Sequence, residues 1–107
     1  MLITAKNSSG TIINNNSTTG DDGLLLTFTS NEETSTFTAD DISVSGATLS
    51  DFNAISEKVY TSNLTPTIRG AITIDVAAGT FTDSIGNANL AAPQFTWKNN
   101  YEPSMSN

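Results

Sequence analysis

The sequence predicts an all-β fold, a sandwich or small barrel of about seven antiparallel strands in two sheets, and two observations carry that expectation. Apolar residues recur at every second position: Leu24, Leu26 and Phe28; Ile42 and Val44; Tyr60 and Leu64; Ile72, Ile74 and Val76; Phe95 and Trp97. Between them in the later runs sit Thr73, Asp75, Thr96 and Lys98, the water-facing half of a strand whose other face is buried. Turn-forming clusters then separate the runs at short intervals, as in NNNSTTGDDG, TSNEE, SGAT, TPTIRG and GNAN.

Taken in order, the pattern places strands near 2–6 and 11–14, the two pieces of a split first strand, then near 23–30, 42–47, 48–55, 58–65, 70–79 and 92–99. Pro66 and Pro93 fall at strand ends or edges, where a missing amide donor does least harm. Arg69-Gly70 opens a tight return into AITIDVA. The expected core is Leu26, Phe28, Val44, Tyr60, Ile72, Ile74, Phe95 and Trp97.

A chain of 107 residues fits one domain. The formal net charge of -7 disfavours nucleic acid and anionic membranes and favours cations. The absence of Cys and His removes disulfides, imidazole or thiol activation of a nucleophile, and the usual zinc, copper and haem ligands. A Ser or Thr hydrolase would need another base, and Lys6, Lys58, Arg69 and Lys98 stand in no motif. No enzyme is expected. No run approaches the ~20 apolar residues of a membrane span, and MLITAKNSSG lacks the charged start and apolar run of a leader.

The segments TADDISVSGATLSDF, VYTSNLTP and IDVAAGTFTDSIGNAN, in that order within Leu24 to Trp97, closely resemble the bacterial immunoglobulin-like repeats of large surface and secreted adhesins. The resemblance implies an immunoglobulin-like sandwich serving as a non-enzymatic spacer, extracellular or at the cell surface, with neighbouring repeats of the same polypeptide as its partners and the isolated domain a monomer. The tail Pro103-Ser104-Met105-Ser106 reads as the approach to another copy beginning at a Met, as this chain begins Met1-Leu2-Ile3. That divides the chain into a repeat over 1–100 and a linker over 101–107, with a repeat length of about 104 residues.

In an immunoglobulin-type topology, the segment after the second main strand and the loop before the last strand emerge at one end, together with the N-terminus. Glu32, Glu33, Asp40 and Asp41 lie in the first, and Asp83, Asn87 and Asn89 in the second. Converging carboxylates call for a cation, and oxygen ligands without His or Cys favour calcium. The expected ligands are Glu33, Asp41, Asp83, Asn87 and Asn89, with Glu102 a lesser candidate donated to the following repeat. The competing reading is that Asp83 and the Gly-Asn-x-Asn cluster only shape a turn.

Other features carry less. Asp21 and Asp22 read as a polar turn, and Phe95 and Trp97 as core rather than a sugar platform. A Lys6 to Asn99 or Asn100 amide cross-link can be imagined on neighbouring terminal strands, but both positions are expected to be exposed, which counts against it. Asn7, Asn15, Asn16 and Asn63 open acceptor triplets for glycosylation that short polar sequences produce by chance. The alternatives to a spacer are a carbohydrate- or protein-binding module, or a surface-layer or filament subunit joined through edge strands.

Overall fold

Nine strands and one short helix account for the regular structure of the computed structural model, which describes residues 1–30, 32–34, 36–83 and 85–100. The strands are β1 (Leu2–Lys6), β2 (Ile12–Ile13), β3 (Ser17–Thr19), β4 (Leu24–Thr29), β5 (Ile42–Ser45), β6 (Ala47–Ala54), β7 (Val59–Pro66), β8 (Gly70–Val76) and β9 (Phe95–Asn99), with a 3₁₀ turn over Ala39–Asp41. They form a five-stranded sheet in the order β2-β1-β4-β7-β6 and a four-stranded sheet in the order β3-β9-β8-β5. All pairings are antiparallel except β3 with β9. Setting aside the short β2 and β3 leaves four strands in one sheet and three in the other, the immunoglobulin arrangement.

The two-residue period is what builds the sandwich. Along β4, Leu24, Leu26 and Phe28 are buried, and along β8, Ile72, Ile74 and Val76; the residues between them stay partly exposed. Phe95 and Trp97 of β9 and Tyr60 and Leu64 of β7 complete the two inner faces. Val44, expected in the core, is only partly buried and packs against it, because β5 is the outermost strand of its sheet.

Gly46 alone makes the switch between β5 and β6, at φ 85°, and a Cβ there would come within 2.9 Å of the Ile68 side chain. Both the left-handed backbone and the close approach therefore select glycine.

Three local expectations need correction. The run NNNSTTGDDG holds a strand, β3, as well as turns. The Asn15 side-chain oxygen accepts the Thr96 amide at 2.7 Å and the Asn16 amide, at φ 70°, donates to the Thr96 carbonyl at 2.7 Å, so the polar run is pinned to β9 and continues in register beside it. β8 stops at Val76 rather than 79, and β9 starts at Phe95 rather than 92. Between them, Ala92 still bonds the Val76 carbonyl, and Pro93 has no amide to donate.

The registers fix the two ends of the molecule. Leu2 pairs with Thr29 and Lys6 with Leu25, so β1 starts where β4 finishes. Asn99 pairs with Gly70 and Phe95 with Ile74, so β9 finishes where β8 starts. Met1 lies at the end that carries the loops after β4 and β8, here called the near end, and Asn100 leaves from the opposite, far end. The longest dimension is 55 Å, against 22 and 20 Å across. No helix among the described residues is long and apolar enough to cross a membrane.

Candidate functional site: a polar cavity at the near end

The loop after β8 is held by its own polar side chains. Asp83 Oδ1 accepts the amides of Ile85 at 3.0 Å and Asn87 at 2.8 Å, and its Oδ2 accepts the Asn87 side-chain amide at 3.2 Å. Asn89 Oδ1 accepts the amides of Thr80 at 2.8 Å and Phe81 at 3.0 Å, while its Nδ2 donates to the carbonyls of Ala77 and Leu90. Gly86, at φ 94°, supplies the reversal inside the turn. Donation from the Asn87 amide, ahead of other hydrogen bonds, holds the Asp83 carboxyl below the ordinary carboxylate range.

This loop meets the segment after β4. Thr34 pairs antiparallel with Asp83, and the Thr82 amide donates to Thr36 Oγ1 at 3.0 Å. Thr34 also bonds the Tyr60 hydroxyl, which donates to the Glu57 carbonyl. Beneath the junction Phe37 contacts Phe81, Tyr60, Phe52 and Phe28, with ring centroids 4.8 to 5.9 Å apart. Phe37 and Phe81 lie outside every periodic run, so the two-residue pattern had no means of finding them.

Above the aromatic floor is an open cavity of about 340 Å³ whose lining includes Met1, Ser30, Glu32, Phe81, Asp83, Asn87 and Asn89. Asp83, Asn87 and Asn89 are thus gathered with the chain's first residue at one end. Glu32, not Glu33, lines the cavity together with Asp83. Asp41 stands apart from this lining: its Oδ2 accepts the Thr38 amide at 2.8 Å, closing the short helical turn before β5. Among the described residues no group of three or more acidic side chains is placed to hold a metal ion. Glu102 lies outside the described residues.

Elsewhere, Trp97 is fully buried. Lys6 is in the five-stranded sheet and Asn99 in the four-stranded one, where Asn99 is buried and donates to the Ile68 carbonyl at 3.2 Å.

No curated protein and no solved structure matches the chain. A family does: the bacterial Ig-like domain matches residues 4–102, nearly the whole sequence. With two sheets in immunoglobulin order over the same residues, the chain belongs to the bacterial Ig-like domain family.

Proposed function

We propose that this domain is a spacer repeat of a long extracellular bacterial adhesin or biofilm-type surface protein, contributing reach rather than recognition. Bacterial Ig-like domains occur in surface proteins and are typically non-catalytic. The observation that carries the spacer reading is the placement of the ends: the chain enters at one tip of a 55 Å rod and leaves at the other, so copies in series extend rather than fold back. Their strand faces are polar, rich in Thr, Ser and Asn. In this reading, residues 101–107 lead into the next copy. The test is the parent gene together with a glycan array. Many near-identical copies and no glycan binding are expected; a single copy beside a catalytic domain, or reproducible micromolar glycan binding lost on changing the near-end acidic residues, would replace the spacer with a binding module.

Calcium at the near end is a second element of the proposal, favoured by Asp83 and Glu32 lining one cavity in an oxygen-only site. The chemistry of the donors suits a hard cation. Their number is small for the six to eight oxygens calcium takes, since Asp83 Oδ1 and Asn89 Oδ1 each already accept two amides. In this reading, the preceding repeat, water and the expected ligand Asn87 would complete the shell, and the expected ligands Glu33 and Asp41, outside the cavity lining, would have to move to join it. At ~100 times its dissociation constant, calcium would add about 2.7 kcal/mol to the folded state, a melting shift on the order of 10 to 20 °C in a domain of this size. Calorimetric scans with calcium and with chelator decide it, and equal melting points end the calcium reading.

A further inference from the structure

The two tips of the rod differ in charge and in shape. The near half holds Glu32, Glu33, Asp40, Asp41, Glu57, Asp75 and Asp83 against a single Lys58, a balance of -6. The far half holds Asp21, Asp22 and Asp51 against Lys6, Arg69 and Lys98, a balance of zero. Three of the four basic residues of the chain are therefore at the end from which it exits.

Apolar groups accompany this split. At the near tip, Ile85 and Leu90 are 81% and 83% exposed on the hydrogen-bonded loop around Asp83 and Asn89. At the far tip, Asp22, Pro66, Ile68 and Arg69 are among the residues lining an open cavity of about 430 Å³, and Ile68 is 49% exposed.

From these features we infer that the far tip of one copy is the docking surface for the near tip of the next: Leu90 and Ile85 enter the groove beside Pro66 and Ile68, with Arg69 facing the Glu32 side of the near tip. The occupant is a second copy of this chain. Charge sets the polarity. Two near tips would bring -6 against -6, whereas near against far meets a surface of zero balance on which Arg69 stands with Asp22. Chain continuity leads the same way, because Asn100, bonded to the Thr19 carbonyl at 2.9 Å, leaves beside the groove. The contact is small, and joining copies in series makes it sufficient, since a short linker holds the tips at an effective concentration of ~1 mM or more.

This inference rests on the tandem reading for that concentration, and the experiment keeps the two separate. Two copies joined in series through 101–107 are compared with the single domain by amide nuclear magnetic resonance, each copy labelled in turn. Expected are shifts at 66–70 of the first copy and 85–90 of the second, beyond those at the joint, lost in Leu90→Ser of the second copy. Arg69→Glu in the first copy should remove them, and Glu32→Lys added in the second should restore them. Shifts confined to the joint, or shifts indifferent to both Leu90→Ser and Arg69→Glu, overturn the docking. A parent gene with one copy would sink the array without altering this measurement.

Discussion

The indole Nε1 of Trp97 donates a 2.8 Å hydrogen bond to Thr19 Oγ1, joining a fully buried ring on the last strand to a side chain 78 positions earlier. Thr19 lies on the three-residue β3, which pairs with β9 alone. The bond both satisfies the only indole in the chain and latches β3 to its sheet. Thr19→Val keeps the shape and removes the acceptor, so the indole is stranded without a partner. A loss of about 1 to 3 kcal/mol in urea unfolding is expected. A change below about 0.3 kcal/mol would mean that the indole finds another acceptor.

Ile74 sits at the centre of β8, fully buried and paired with Val44 on one side and Phe95 on the other. Ile74→Ala should lower stability by about 2 to 5 kcal/mol through lost burial and the cavity left behind. That is a large share of the 5 to 15 kcal/mol typical of a domain. Chemical denaturation measures it, and the slope of the transition should stay constant.

Asp83 makes a prediction with a sign. Its carboxyl is held below the ordinary range, so the folded loop is favoured while Asp83 is ionised; that preference is complete above the ordinary carboxylate range and is lost as pH falls through the depressed folded value. The protection of the Ile85 and Asn87 amides against hydrogen exchange, taken relative to their intrinsic rates at each pH, should fall over that acid window in the wild-type domain. In Asp83→Ala the same amides should show little protection at neutral pH and lose little more of it on acidification. Protection that survives the substitution would show that backbone bonds alone hold the loop.

β6 is an edge strand of eight residues, long enough to recruit another strand. Its pairing with β7 is broken between Ser50 and Asn53 by one extra residue, and Asp51 sits there at φ 55° with Oδ2 accepting from the Asn63 side chain at 3.0 Å. The bulge keeps Leu49 and Phe52 both packed against the core while placing a charge on the open edge. Deleting Asp51 should leave a folded domain, because plain alternation still points both apolar residues inward, and should make it self-associate in sedimentation. A monomer at high concentration would assign the protection to another feature.

The strands that were legible in the sequence are those whose alternation is local: β4 and β8 declare their buried faces within six or seven residues. What was not legible depends on contacts between distant segments. β3 exists because the Asn15 side chain holds Thr96, 81 positions away, and no period in STT announces it. Phe37 and Phe81 close the near end as an aromatic cluster built from loops, where spacing carries no information. At the candidate site, topology was enough to gather Asp83, Asn87 and Asn89 beside Met1. Choosing between Glu32 and Glu33 was not, because adjacent residues after a strand differ only in the phase with which the chain leaves the sheet.

The opposite placement of the two ends also decides how the domain meets tension. Pulling Met1 outward from one tip and Asn100 from the other draws β1 along β4 and β9 along β8, parallel to the strands in both cases. Each terminal strand is tied by five paired residues that must then yield together in shear, and β3 adds three more against β9. Neither end can be unzipped one rung at a time. In the proposed array, such domains under tension would resist through whole sets of backbone bonds loaded in parallel.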